Sequence, residues 1–178
     1  MKPWITLPNG RLRPAAAYDR DGLLELLHRR EVRRYLCDDA FLPIASVAAM
    51  LSRSDELDLE GLGLWIIEHR TERFAGLAGL QTFETDVTAS PLVAGGIEPI
   101  IALNPDCWGL GLAAETLQAL CRYAQRTLGL SRLVVSVDRP NNRSHRLVHR
   151  CGFVQIGAAS GLADNLILYQ LSFEQAAP

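Results

Sequence analysis

Apolar residues recur with helical spacing through the first third of the chain. A short strand-like run at 11–15, ended by Pro14, comes first. Leucines then fall on one face of a helix in 18–30, and shorter helical patterns follow at 31–36 and 44–54. This part of the chain therefore predicts one strand followed by helices.

The middle of the chain carries short apolar runs that are typical of strands. Runs at 63–70 and 74–83, separated by a turn at 71–73, predict a β-hairpin. Residues 84–96 have the composition of a loop, and 97–103 is the next strand. This strand contains a proline, which donates no ladder hydrogen bond, so an edge position, a strand start or a bulge is expected there.

The second half repeats the strand–helix pattern. The best-defined helix is 112–128, because five apolar residues form one stripe along it: Ala113, Leu117, Leu120, Ala124 and Leu128. The remaining pattern predicts a strand, a short helix and two closing strands, at 132–137, 141–151, 153–158 and 165–173. This order indicates an α/β (α+β) protein with a mixed sheet, built as a single domain over 1–178.

Composition limits the classes of function. The chain has 178 residues, 48% hydrophobic and 21% charged, which supplies ample core for one domain. Its net charge of -2 argues against nucleic-acid binding, which needs a basic face. Its longest apolar run, 61–67, is too short to span a membrane, and the N-terminus lacks a signal-peptide core, so a cytoplasmic protein is expected.

Lysine and cysteine usage excludes further chemistry. Lys2 is the only lysine, in a terminus expected to fray, so a catalytic lysine is excluded. The four cysteines form no CxxC pair, which argues against a structural zinc or disulfides. His145 and His149 lie four residues apart on a predicted helix, but no HExxH glutamate accompanies them and no metal is predicted.

A glycine turn at the start of the long helix is the main candidate for ligand binding. Gly109 and Gly111 precede the helix, where bare N–H groups and the helix dipole favour an anion. A P-loop is excluded because no lysine follows. A dinucleotide site is disfavoured because the turn lies late in the chain, after a hairpin, with only one strand–helix unit to follow.

The chain resembles the GNAT acetyltransferases, and within them the RimJ/RimL-like N-terminal acetyltransferases. The resemblance covers nearly the whole chain and rests on five features in order: the Glu98 strand, Trp108-Gly109-x-Gly111, Ala114-Glu115, Asn141-x-x-Ser144 and Gly152-Phe153. It implies a GNAT fold, with a mixed central sheet of six to seven strands splayed between strands 4 and 5, and about four helices.

The resemblance also implies acetyl-CoA as co-substrate, with no metal. The expected cofactor-binding residues are Ile101, Leu103, Trp108, Gly109, Leu110, Gly111, Leu112, Ala113 and Asn141. Amides of 109–113 would hold the pyrophosphate, and main-chain groups of Ile101 and Leu103 would pair with the pantetheine arm. For Trp108, packing behind the turn is favoured over an adenine platform.

The implied activity is acetyl transfer to a primary amine, by direct attack in a ternary complex. Glu98 is the expected base, with a surface or arginine-paired glutamate as the other interpretation; Ser144 is the expected acid or a helix cap. The tyrosines Tyr123 and Tyr169 stay open as acids. The acceptor is a protein N-terminus or a small molecule, a homodimer is possible, and a catalytically silent acyl-CoA-binding module is the alternative.

Several positions depart from the family pattern or have two interpretations. Asp106 stands where a basic or glutamine residue is common, so its carboxylate is expected to turn outward. Cys107 is interpreted as a small buried hydrophobe rather than an acylated nucleophile. Val148 replaces a family tyrosine acid. Asp38 and Asp39 lie at the expected acceptor rim or are solvated turn residues.

Overall fold

The computed structural model describes residues 1–71, 74–83, 91–159 and 165–174. These residues contain eight strands and five α-helices. The strands are β1 Ile5–Leu7, β2 Gly10–Pro14, β3 Gly63–His69, β4 Gly76–Thr82, β5 Ile97–Leu103, β6 Arg132–Asp138, β7 Val154–Ala158 and β8 Leu166–Ser172. The helices are α1 Arg20–His28, α2 Arg30–Leu36, α3 Ile44–Glu56, α4 Leu112–Arg126 and α5 Asn142–Arg150.

The strands form two sheets, which confirms the α/β class. One sheet has five strands in the order β1-β2-β3-β4-β5, and the other has three in the order β6-β8-β7. The pairs β1–β2, β2–β3, β3–β4, β6–β8 and β7–β8 are antiparallel. The sequence predicted six to seven strands and about four helices, whereas the described residues contain eight strands and five α-helices. The predicted turn residues 72–73 and loop residues 84–90 lie outside the described residues.

The N-terminal strand β1 is the element that the apolar pattern did not predict. It has only three residues, and Pro3 and Pro8 flank it. The alternation of apolar and polar residues that marks a strand therefore cannot be recognised in it. It pairs with β2 from Ile5↔Leu12 to Leu7↔Gly10. The pairing partner, rather than local sequence, therefore defines this strand.

The first of two compact units comprises residues 1–80 and 100–119. Its core lies where apolar faces of α1 and α3 meet the sheet, and includes Leu23, Leu27, Val47, Ile66 and Leu77, all buried. Within this unit β3 is buried along its first five residues. Such an all-apolar run is expected of a central strand that is covered on both faces.

The prediction that Lys2 lies in a frayed terminus is wrong. Its side chain is 2% exposed, and Nζ donates to the Ser54 carbonyl oxygen at 2.9 Å and to Ser54 Oγ at 3.1 Å. Asp58 completes the site at 3.3 Å from Nζ. A buried ammonium needs partners of this kind, and they fix the N-terminus against α3.

The second compact unit comprises residues 81–99 and 120–178. In its core, Phe83, Val93, Val134 and Leu168 pack together. Arg132 donates to the Leu92 and Ala94 carbonyl oxygens at 3.3 and 3.1 Å, which ties the segment before β5 to β6. The expectation of a single domain over 1–178 stays a prediction.

Membrane insertion by a helix finds no support in the structure. Across the described ranges, every helix is too short or too polar to cross a bilayer.

Candidate active site

The glycine turn predicted from the sequence lies at the start of α4, inside the first unit. Gly109 and Gly111 both have φ of +82°, the left-handed conformation that glycine adopts most readily. A β-carbon on Gly109 would meet no other heavy atom within 4 Å, so the space beside this residue is open. At this point no side chain of the described ranges fills the turn.

Several adjacent backbone N–H groups at this turn lack a hydrogen-bond partner among the described residues. Hydrogen bonding runs up to Trp108, whose N–H donates to the Pro105 carbonyl, and resumes at Ala114 and Glu115, whose N–H groups donate to the Gly111 carbonyl. Among the residues that the structure describes, none accepts a hydrogen bond from the five N–H groups of 109–113. Five adjacent donors at a helix start form a site suited to an anion.

The tryptophan of the motif braces the turn. Trp108 Nε1 donates to the Leu103 carbonyl oxygen at 3.0 Å, which links the turn to the last residue of β5. Cys107 beside it is buried, in agreement with its interpretation as a small hydrophobe, and Asp106 is exposed as expected. These contacts support the bracing role of Trp108.

β5 is the last strand of the five-stranded sheet, so one of its edges is not paired within that sheet. The Asn104 N–H donates to the Ala75 carbonyl at 2.8 Å, and the Phe83 N–H donates to the Gly96 carbonyl at 2.9 Å. Since alternate residues of a strand direct their main-chain groups to opposite sides, Ile101 and Leu103 direct theirs away from β4. Pro99 lies on the same side, where its missing N–H costs no ladder bond.

The predicted base has a partner that the sequence did not reveal. Within the second unit, the backbone N–H of Ser136 donates to Glu98 Oε1 at 3.0 Å, and the Ser136 hydroxyl donates to the same oxygen at 2.9 Å. Both residues are half-buried. This carboxylate is oriented by a β6 residue and is not fully exposed, so the simple surface interpretation does not describe it; the arginine-paired interpretation stays a prediction.

Ser136 stands out in the sequence only by its polarity. It is the one polar residue inside the apolar run 133–137. Just beyond the ends of β6 and β8, the Arg139 N–H donates to the Asn165 carbonyl and the Phe173 N–H donates to the Ser131 carbonyl. By alternation, the Ser136 N–H points away from β8, and it is therefore available to a side chain.

Asn141 and Ser144 lie together at the start of α5. Asn141 Oδ1 accepts a hydrogen bond from the Ser144 N–H at 3.2 Å, which makes Asn141 the helix N-cap. The capping interpretation raised for Ser144 therefore belongs to Asn141. Val148, one turn further on, is buried in the core.

Tyr169 and the helix α5 form a second polar cluster. The hydroxyl of Tyr169 lies 2.8 Å from His145 Nδ1, while His145 Nε2 lies 3.1 Å from the Asp138 carbonyl oxygen. Because a carbonyl only accepts, Nε2 carries the proton and the tyrosine donates to Nδ1. Burial raises the pKa of Tyr169. In the described ranges no group of side chains is arranged to hold a metal ion.

The two acidic residues of the expected acceptor rim differ in their contacts. Asp38 and Asp39 both have positive φ, at +49° and +60°. Asp39 is paired with Arg33 at 2.9 Å. Its charge is thereby partly compensated, so attraction of a cationic acceptor at this rim would depend on Asp38.

The predicted site residues fall in both compact units. The first unit contains the turn 109–113 with Trp108, Ile101 and Leu103. The second contains Glu98, Ser136, Asn141 and Ser144. In the second unit the contacts shown are two separate pairs, Glu98 with Ser136 and Asn141 with Ser144.

Comparison with known proteins identifies a family for this chain. A family model described as an acetyltransferase (GNAT) domain matches residues 11–154. The N-acetyltransferase p20 of Bacillus licheniformis, which is described as uncharacterized, is 26% identical over 148 residues, covering 82% of this chain and 79% of that protein.

Solved structures share the fold. An acetyltransferase from Agrobacterium tumefaciens superposes with a TM-score of 0.78 at 21% identity, covering 98% of this chain and 96% of that chain. RimL, the ribosomal L7/L12 α-N-protein acetyltransferase, was solved in complex with coenzyme A. It gives a TM-score of 0.76 at 18% identity, covering 96% of this chain and 98% of that chain.

These findings confirm the resemblance, the fold and the enzyme class inferred from the sequence. The family match spans well over half of the chain, and the relatives carry the name of N-acetyltransferases. This chain belongs to the GNAT acetyltransferase family.

Proposed function

We propose that this protein transfers an acetyl group from acetyl-CoA to a primary amine, by direct attack of the amine in a ternary complex. The observation that carries the proposal is the row of five N–H groups at 109–113, which find no acceptor in the part of the chain that the structure describes. Family membership supports the same chemistry. The acceptor that we favour is the α-amine of a protein N-terminus.

The glycine turn fits the diphosphate of acetyl-CoA, which supplies the acetyl group as a thioester. Gly109, Leu110, Gly111, Leu112 and Ala113 would donate their N–H groups to phosphate oxygens. The α4 dipole adds a favourable contribution, and the open space at Gly109 allows close approach of the backbone. Asn141 is also proposed as a cofactor-binding residue.

The free edge of β5 fits the pantetheine arm. Ile101 and Leu103 direct main-chain groups away from β4, so amide groups of the arm would add to β5 as a further strand. The Leu103 carbonyl already accepts from Trp108, but a carbonyl oxygen has a second lone pair. Trp108 would thus hold both the turn and this edge in place.

Glu98 and Ser144 are the proposed base and acid. Glu98 removes a proton from the amine, directly or through a water, as the nitrogen bonds to the acetyl carbon. The carbon–sulfur bond then breaks, and Ser144 gives its hydroxyl proton to the departing thiolate and regains one from solvent. The hydrogen bonds from Ser136 orient the base for this step.

An α-amine makes the smaller demand on such a base. An α-amino group has a pKa near 8, so its deprotonation at neutral pH costs roughly 1 kcal/mol; a lysine amine costs about 4–5 kcal/mol. The structural likeness to RimL, named as an α-N-protein acetyltransferase, supports the same preference.

The experiment that tests the proposal is thiol release from acetyl-CoA with a panel of amines. The panel contains peptides with a free N-terminus, the same peptides with a blocked N-terminus and one internal lysine, and polyamines. We expect turnover with the free α-amines and little with the lysine peptides. Tight CoA binding without turnover on any amine would instead favour the silent acyl-CoA-binding module.

A further inference from the structure

The turn between β1 and β2 is hydrogen-bonded to the first turns of α4. The backbone N–H of Asn9 donates to Glu115 Oε2 at 3.1 Å, and Asn9 Nδ2 donates to Glu115 Oε1 at 2.5 Å. The two residues are 106 positions apart in sequence and lie in the same compact unit. One asparagine therefore satisfies both oxygens of this carboxylate.

The carboxylate lies close to the proposed diphosphate site. A β-carbon on Gly111 would lie 3.7 Å from Glu115 Oε1. A negative charge at the start of a helix is attracted to the same bare N–H groups that would bind an anion. If Asn9 did not bind the Glu115 carboxylate, Glu115 would compete with the diphosphate for the N–H groups of 109–113. Its negative charge would also repel the diphosphate.

Asn9 is itself held in position by the sheet. Its carbonyl oxygen accepts from the Arg70 N–H at 3.1 Å, and Gly10 packs so closely on the Glu68 carbonyl that a β-carbon there would clash. The backbone of Asn9, including its donor N–H, is thus held at the ends of β2 and β3 and not by α4. A rigid donor of this kind can determine where the Glu115 carboxylate points.

We propose that Asn9 is a cofactor-positioning residue: it holds the Glu115 carboxylate away from the N–H groups of 109–113 and keeps them available to acetyl-CoA. This inference rests on the proposed function, since it assigns the turn to the diphosphate. According to this inference, the β1–β2 turn contributes to cofactor affinity, although it lies outside the family motifs in the sequence.

The test is the affinity for CoA, measured by calorimetry at low and high salt, for N9A, E115Q and N9A/E115Q. N9A removes the side-chain donor and keeps the backbone one, and we expect it to weaken binding about 3- to 10-fold at low salt. High salt should shrink this ratio, because screening reduces charge repulsion. E115Q removes the charge, so CoA should bind E115Q at least as tightly as wild type. N9A/E115Q should bind CoA within about twofold of E115Q.

A matched control separates this role from a loss of stability. Asn165 also donates its side-chain amide to a carboxylate, that of Asp138, at 3.3 Å. N165A should leave the affinity for CoA at the wild-type value. Equal affinities of N9A and wild type, or the same N9A loss in the E115Q background, would overturn the inference. Failure of the wild-type protein to bind CoA would instead overturn the proposed function.

Discussion

Glu98 Oε1 accepts two hydrogen bonds from Ser136, one from the backbone N–H and one from the hydroxyl. Two donors on one oxygen fix the plane of a carboxylate more firmly than one does. For a base that must meet an amine or a water in a defined direction, such orientation has a direct effect on rate. Ser136 is therefore expected to contribute to turnover through Glu98 and not through its own chemistry.

Removal of the Ser136 hydroxyl should lower kcat with little change in the KM for acetyl-CoA. The lost hydrogen bond to a charged group corresponds to about a tenfold decrease. E98Q should lower kcat by about 100-fold or more, as expected for a general base. S136A added to E98Q should cause no further loss, because the group that Ser136 orients is no longer a base.

Two variants control this experiment, with steady-state kinetics as the measurement. S136T retains a hydroxyl on a strand-compatible side chain and should restore most of the rate. Ser172 is also a strand serine of the second unit and is hydrogen-bonded to Gln170 at 2.8 Å, so S172A should leave kcat unchanged. A tenfold loss from S136A even in the E98Q background would show that Ser136 acts elsewhere.

At this scale the sequence located residues but not their partners. The motif order placed Glu98 on its strand, yet Ser136 lies 38 positions away and in another sheet. Lys2 shows the same limit: its position near the terminus indicated fraying, but its partner Ser54 lies 52 positions away. Hydrogen bonds between residues far apart in the chain produce no repeating pattern in the sequence, so they cannot be predicted from its periodicity.

Among the elements, the turn before α4 combines the strongest sequence signal with a demanding backbone conformation. Two glycines with φ of +82° enclose Leu110, whose side chain is exposed. An L-residue in the left-handed region costs about 1–2 kcal/mol. The turn thus maintains its open N–H groups only because glycine stands at these two positions.

Replacement of Gly109 by alanine should weaken CoA binding about tenfold, because the strain either shifts the turn or is relieved by closing it. Gly129 is a matched control: it also has positive φ, at +65°, and open space where a β-carbon would lie. G129A should lower the thermal stability by a similar amount and leave CoA affinity unchanged. Titration with CoA and thermal unfolding of both variants measure this.

Equal loss of affinity in the two glycine variants would show that backbone strain acts through global stability and not through the turn. Wild-type affinity in G109A would remove Gly109 from the proposed cofactor site.

Elements whose apolar residues recur at a regular spacing were predictable from the sequence, and elements without such spacing were not. The stripe in 112–128 predicted α4 nearly to its ends, because a helix packed on one side must repeat its apolar residues. β1 was missed because three residues between prolines show no period. The position of Pro99 at a sheet edge was predictable, since a proline donates no N–H to a ladder.

For the whole molecule, stability rests partly on ion pairs within the first unit. Arg13 binds Asp19 at 2.7 Å and Glu68 at 2.9 Å, with only 13% of the arginine side chain exposed. Asp19 raises the pKa of Arg13 further, against the effect of burial, so this cation stays charged. Because Arg13 stays charged, its partners Asp19 and Glu68 must be ionised to compensate the charge.

The pKa of Glu68 is lowered from its usual 4.5: burial alone would raise it, but the hydrogen bonds from Arg13 and Arg11 outweigh burial. The pKa of Asp58 is likewise lowered, first of all by the hydrogen bond from the Lys2 N–H. Such carboxylates bind protons more readily in the unfolded chain than in the folded one. Their contribution to stability is present above the unfolded pKa and is lost as the pH falls through the folded pKa.

We therefore expect the free energy of unfolding to fall steeply as the pH drops below about 4.5, and E68Q to flatten this slope. At pH 7, E68Q should cost about 1–3 kcal/mol, because it leaves the buried Arg13 with one charged partner fewer. E56Q removes an exposed carboxylate paired with Arg53 and should cost under about 1 kcal/mol. Urea unfolding between pH 3 and 7 measures both variants; an acid slope in E68Q as steep as in wild type would place the acid sensitivity at carboxylates other than Glu68.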